Sequence, residues 1–193
     1  MAADAAAGVA GRRWRIGHYR LQHHHEQGEK QMARIEERLR AMGLTLPPQM
    51  VPPAGVILPF QFVRVAGNRA LISGHAPQSP DGSIAGPLGK VGLDVTVEEA
   101  YASARLTALG ILGSLQRALG DLDRIGAWVR VFGMVNSAPG FIRQPSVING
   151  FSDLILELFG PDVGAHSRSA VGMAELPFNI PVEIEGEVEL KAR

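Results

Sequence analysis

The sequence predicts an α+β fold, a two-layer sandwich in which a mixed sheet carries two helices on one face. Three observations predict it. Residues 60–65 and the stretch that begins at Pro181 alternate apolar and polar side chains, a period of two that marks strands, and the short runs 70–74 and 167–175 read as strands beside them. Two longer stretches, one after Thr96 and one after Pro145, repeat apolar residues at helical spacing. Between them runs a long alternating segment from Ile125 to Val135. The resulting order is β-β-α-β-α-β-β, and a half-apolar sheet of this kind buries one face beneath its helices.

The elements follow in chain order. Residues 1–31 lack a sustained apolar period and contain Arg12, Arg13, Trp14, Arg15 and the run His23, His24, His25. They read as a disordered tail, one that a start at Met32 would omit. The histidines are read as a surface tract, with adventitious metal binding as the alternative. Residues 32–54 read as a short helix, stopped at Gly43, and a connector rich in proline (Pro47, Pro48, Pro52, Pro53). Proline cannot donate to a ladder, so the connector is neither helix nor central strand. Residues 55–193 form the main domain. Its first two strands make a hairpin about Gly67-Asn68, and a glycine-rich stretch, residues 86–92, has room for a small extra strand.

Thr96 with Glu99 three residues on is a capping box. Tyr101, Ala104, Ala108, Leu112, Leu115 and Leu119 form the helix's apolar stripe, and Gly120 ends it. The strand from Ile125 sorts into a face with Ile125, Ala127, Val129, Val131 and Val135 and a face with Trp128, Arg130, Phe132 and Met134. The second helix has Pro145 in its first turn, a stripe of Ile148, Phe151, Ile155 and Leu158, and a stop at Gly160-Pro161. The last two strands, about 167–175 and 181–190, read as a pair joined through a turn at 176–181. Trp128, Phe132 and Met134 would leave the second sheet face apolar, and such a patch predicts packing against further copies of the chain.

Composition narrows the chemistry. The chain has 193 residues, no cysteine, and 19 basic against 19 acidic side chains. Thiolate nucleophiles, disulfides and cysteine metal sites are excluded. Zero formal charge gives no support to a nucleic-acid partner. No apolar run is long enough to span a bilayer, so no membrane partner is expected and a cytoplasmic location is. The glycines at 86, 89 and 92 do not have dinucleotide-loop spacing, and no Walker or nucleophile-elbow motif is present. No metal or cofactor is expected.

Arg168 opens a strand of otherwise small and apolar residues, Ser169-Ala170-Val171-Gly172-Met173. Its guanidinium is a planar fork suited to a carboxylate, and a structural ion pair is the plainer alternative. The last strand carries Glu183, Glu185, Glu187 and Glu189 at period two. They form a solvated face, or one of them poises a water as general base. His75 closes the Ser73-Gly74 strand and reads as structural or catalytic. Asn149 lies inside the second helix, where it binds a ligand or caps a neighbouring group.

The segments Arg168-Ser169-Ala170-Val171, Leu176-Pro177 and Val182-Glu183-Ile184-Glu185 resemble the RidA family, also called YjgF or endoribonuclease L-PSP. Leu71-Ile72-Ser73-Gly74, and Gly120-Asp121-Leu122-Asp123 followed by Val129-Arg130-Val131, are similar to further family segments. The resemblance spans about residues 55–190. It implies a chorismate-mutase-like fold, a homotrimer with a barrel of sheets, and ligand clefts between subunits. It also implies hydrolysis of reactive 2-imino and 2-enamino acids to 2-oxo acids and ammonia. Arg168 would hold the substrate carboxylate and Glu183 would activate water, with Ser73, Gly74, His75, Asn149 and Phe60 around the substrate. Three positions depart from the family pattern: Phe60 replaces a tyrosine, His75 a glutamine and Gly172 a glutamate. Two other readings stand beside the hydrolase: a trimeric module that binds a small carboxylate without turning it over, and an endoribonuclease.

Overall fold

The computed structural model describes residues 35–192. The expectations for residues 1–31, including the three histidines, and for a helix start at Met32 lie outside the described residues. Five strands, β1 (Val63–Ala66), β2 (Arg69–His75), β3 (Ile125–Asn136), β4 (Ser167–Met173) and β5 (Val182–Leu190), make one mixed sheet. Helices α2 (Val97–Leu119) and α3 (Gln144–Gly164) cover one face of it, and a short helix α1 (Ile35–Ala41) precedes the sheet.

Local sequence sets the helix ends. Thr96 accepts from the Glu99 amide at 3.2 Å, and Glu99 accepts from the Thr96 amide at 2.9 Å, so both halves of the capping box are present. Gly120 closes α2 in the left-handed region with φ 81°. Gly160 breaks α3 with φ 74° and ψ 174°, but the chain does not stop at Gly160-Pro161 as the sequence suggests. Proline suits a first helical turn, so Pro161 restarts one more turn. The glycine-rich stretch forms no strand; Val91 makes isolated bridges to Val95 and Ser137.

Two expectations are corrected here. First, β4 and β5 are not paired. The strand order is β1-β2-β5-β3-β4, with β4 parallel to β3 and β5 antiparallel to both β2 and β3. The burial pattern gives the reason. Val182, Ile184, Val188 and Leu190 are all buried and call for a central place, whereas β4 is only half-buried and suits an edge. The linking turn is not a hairpin turn. Phe178 and Asn179 both take left-handed backbone, φ 57° and 56°, and Asn136 holds the Asn179 amide oxygen at 3.2 Å. The turn thereby carries the chain past the end of β3.

Second, Trp128 does not lie on the open face with Phe132 and Met134. The β3–β5 register slips between Ile125 and Ala127 and again between Trp128 and Arg130, which breaks strict alternation. Trp128 consequently turns under the helices, 2% exposed, edge-on to Phe151 and Phe159. The open face keeps half-buried Phe132 and Met134, opposite Glu185 and Glu183.

The helices meet at a close crossing. A Cβ on Gly150 of α3 would fall inside contact distance of the Tyr101 carbonyl on α2, so only glycine fits there. The connector lies along α2, where Arg117 Nη1 donates to the Pro47 carbonyl at 3.1 Å.

Candidate functional site

The residues that the sequence singles out fall into two groups. One sits at β4 and α3. Arg168 is the second residue of β4 and pairs with Val131, whose side chain is buried beneath the helices. From there its guanidinium reaches α3: Nη1 donates to Asn149 Oδ1 and to Ser152 Oγ, both at 3.0 Å, and Nη2 donates to the Pro145 carbonyl at 3.4 Å. Asn149 and Ser152 are three residues apart and so share one helix face. Ser152 Oγ lies 2.9 Å from His166 Nε2, and His166 Nδ1 lies 2.7 Å from the Gly164 carbonyl. A carbonyl can only accept, so Nδ1 carries the hydrogen. Nε2 then accepts from the Ser152 hydroxyl, whose lone pair receives the Arg168 N–H.

Every acceptor on Arg168 is neutral. Among the described residues no carboxylate lies within ion-pair distance of it. Burial draws its pKa down and Asp153 opposes that shift. The group stays charged, because guanidinium keeps its proton in proteins. A hollow of about 350 Å³ opens in front of it, lined by Asn149, Ser152, Asp153, Leu156, Ala165, His166 and Arg168. A fixed cation with unused N–H groups beside a cavity is suited to receive an anion.

The second group lies at β2 and β5. A bulge at Ser73 and Gly74 interrupts the β2–β5 register. A Cβ on Gly74 would collide with the Glu183 carboxylate, so glycine makes the space that this carboxylate occupies. Burial, and then Glu185, push the Glu183 pKa up. Ser73 Oγ donates to the Gln61 carbonyl at 2.8 Å. Phe60 is exposed and packs edge-on to Phe62, which in turn lies 5.1 Å from the His75 ring.

The His75 side chain points inward and is 1% exposed. Its Nδ1 donates to the Ser73 carbonyl at 2.7 Å, and its Nε2 accepts from the Ser114 hydroxyl at 2.9 Å. Arg117 Nη2 donates to the same hydroxyl at 3.0 Å. Burial lowers the His75 pKa to about 4, so the ring is neutral at neutral pH.

Within one chain the structure joins Arg168 to Asn149, and Glu183 to Gly74. It does not join Arg168 to Glu183. Glu183 stands opposite Met134 on the open face of the sheet, whereas Arg168 bonds to a helix on the other face. Ser152, His166, Ser114 and Arg117 escape sequence reasoning as site residues. The available signals were the three-residue spacing of Asn149 and Ser152, the same spacing of Ser114 and Arg117, and His166 two places before Arg168.

Glu36, Asp121 and Asp123 bring carboxylate oxygens together at the far end of α2. Glu36 Oε1 already accepts from the Leu122 amide and from Gln116. No helix among the described residues is long and apolar enough to cross a membrane.

Residues 36–184 match the family described as "YjgF/chorismate_mutase-like, putative endoribonuclease". Protein TCP17 of Trypanosoma cruzi is 40% identical over 157 residues, which cover 81% of this chain and 94% of that protein. Among solved structures, the protein Atu1372 of Agrobacterium tumefaciens, whose function is unknown, matches with TM-score 0.73 and 39% identity over 85% of this chain and 96% of its own. A candidate endoribonuclease of Shewanella oneidensis matches with TM-score 0.73 and 33% identity, over 81% and 99% of the two chains.

Proposed function

We propose that this chain, which belongs to the YjgF/chorismate-mutase-like family, hydrolyses reactive 2-imino and 2-enamino acids to 2-oxo acids and ammonia. The observation that carries the reading is the Arg168 guanidinium, held on three neutral oxygens at the edge of a cavity, with Asp153 on the cavity wall but no described carboxylate at ion-pair distance from it. Such a fork binds a substrate carboxylate in bidentate fashion and fixes the neighbouring carbon, C2, for attack.

The chemistry asks little of the protein. An enamine first takes a proton at carbon to become the imine. Water adds to C2 of the protonated imine, giving a carbinolamine. The C–N bond then breaks, ammonia leaves and C2 becomes a carbonyl. Glu183 takes a proton from the attacking water and delivers one to the departing nitrogen. Its raised pKa makes it a stronger base than an ordinary carboxylate.

Arg168 and Glu183 face opposite sides of one chain's sheet, so the reading includes a homotrimer. In it the open face of one copy comes up to the β4 edge of the next and completes the cleft. Ser73, Gly74 and Phe60 would line that cleft, His75 would support it from behind, and Asn149 would hold Arg168.

The test generates iminopyruvate in situ and follows ammonia release with sedimentation in parallel. Wild type is expected to exceed the buffer rate, Arg168→Ala to fall to it, and the protein to sediment as a trimer. Release no faster than buffer, or a monomer, overturns the hydrolase reading. The same Arg168 geometry, with Phe60 in place of a hydroxyl-bearing ring, favours a second reading, a carboxylate-binding module. Saturable 2-oxo acid binding without turnover would select it. Cleavage of labelled RNA at physiological salt would replace both.

A further inference from the structure

We propose that the hollow between the connector, the chain entering β1 and the C-terminal end of α2 is a second anion site, separate from Arg168. It would take a monocarboxylate with a flat apolar body, gripped by Arg117. The hollow measures about 490 Å³, within the range of small-molecule pockets. Its lining divides by chemistry. Met50, Leu58, Phe60 and Phe62 supply apolar wall, Gln49 and Gln61 supply amides, and Arg117 supplies the charge. Phe60 is 48% exposed, so a large aromatic ring at the hollow is only half covered.

Arg117 is fixed rather than free. Nη1 is tied to the Pro47 carbonyl and Nη2 to Ser114 Oγ. Both partners are neutral, and among the described residues no carboxylate meets Arg117. A guanidinium carries five N–H groups, so donors remain for a ligand.

The tie is itself held from the interior. Ser114 is 6% exposed and His75 1%. His75 Nδ1 donates to the Ser73 carbonyl, so its Nε2 must take the Ser114 hydrogen. The Ser114 hydroxyl therefore cannot donate into the hollow, and it offers Arg117 a lone pair of fixed direction. The chain of bonds aims the guanidinium without neutralising it.

One cation, set among amides and a few apolar side chains, selects the ligand class. No second basic side chain lines the hollow, so a phosphate dianion would keep an uncompensated charge. A monocarboxylate matches the single charge. The half-covered Phe60 ring favours a planar body, for which aromatic packing adds to burial.

The experiment is an amide-resolved NMR titration of the full chain with benzoate, and with benzamide as the neutral isostere. Benzoate is expected to give saturable shifts at Gln49, Gln61–Val63 and Ser114–Ala118. Benzamide is expected to bind at least about tenfold more weakly, the weight of one charge-assisted contact. Arg117→Gln should lose about the same factor in the affinity read from the Ser114–Ala118 shifts, and Arg168→Gln should leave those shifts in place. Absence of saturable shifts at Ser114–Ala118 overturns the proposal, as does equal binding of benzamide there. If Arg117→Gln fails to fold, the wild-type shift map still decides, and Arg117→Lys keeps the charge while removing the fork. Because Arg168→Gln separates the two sites, this proposal and the hydrolase reading fail independently.

Discussion

The Arg117–Ser114–His75 array and the Arg168–Ser152–His166 array use the same three side chains at nearly the same distances. In each, a histidine Nδ1 donates to the carbonyl two residues earlier at 2.7 Å, a serine hydroxyl meets Nε2 at 2.9 Å, and a guanidinium donates to that serine at 3.0 Å. They differ in setting. His75 is sealed beneath the β2 bulge, whereas His166 is half-exposed at the end of α3. The difference teaches that the local bond fixes the tautomer and burial decides its weight. The same bond that holds the core at His75 merely aims a side chain at His166.

Substitution of the histidines tests that division most strongly. His75→Ala removes a buried ring and strands the Ser73 carbonyl and the Ser114 hydroxyl. The cavity and the unpaired groups together cost about 4 kcal/mol, or roughly 10 °C in Tm for a chain of this length. His166→Ala leaves groups that water can reach and should cost about 1 kcal/mol. Thermal unfolding of both variants checks this, and equal losses would break the comparison.

Acid gives the next largest separation. Burial sets the folded pKa of His75 at about 4, against 6.5 for an unfolded histidine. Between these values the unfolded chain binds the proton and the folded chain does not. The contribution is therefore complete above pH 6.5 and is lost as pH falls toward 4, about 3 kcal/mol in all. The His166 pKa shifts downward too, from burial, and partial exposure leaves it a smaller share. Urea midpoints measured across this range should decline in wild type. They should decline less in a His75→Gln variant, whose amide does not titrate.

Two glycines separate the regions further. Gly150 sits beside Asn149, and an added Cβ would meet the Tyr101 backbone, which cannot move without opening the α2–α3 crossing. Gly150→Ala should cost about 2 kcal/mol. Gly74→Ala meets only the mobile end of Glu183. It should cost less than about 1 kcal/mol in stability. By displacing the proposed base it should lower ammonia release far more than it lowers Tm. Denaturant midpoints read beside turnover would show the split, and parallel losses would remove Glu183 from the reaction.

What was legible in the sequence follows the same line between local and distant causes. Thr96, Glu99 and Gly120 bound α2 as their residue types require, because caps act within one turn. Arg168 at the head of a strand was equally plain. The central place of β5 was not, since hairpin pairing is the short-range expectation and only burial along both flanks overrides it. Trp128 was misplaced because two register slips in one strand leave no sequence mark. Ser152 reaches Arg168, and links it to His166, only when α3 packs on β4, although Asn149 could be named from the resemblance.

The smallest effect separates the serines. Ser152→Ala removes one of the three neutral oxygens on Arg168 and the donor to His166 Nε2. Asn149 and Pro145 still hold the guanidinium, and water can replace the lost donor. Stability should therefore change by less than about 1 kcal/mol. The guanidinium gains freedom, however, and 2-oxo acid affinity should fall about threefold as ordering is shifted onto the binding step. Ser114→Ala provides the contrast, because its hydroxyl is buried and water cannot stand in for it. That variant should lose more stability than Ser152→Ala and leave 2-oxo acid binding untouched. Calorimetric titration of both, next to their melting curves, decides whether the two arrays divide between anchoring the core and aiming a ligand contact.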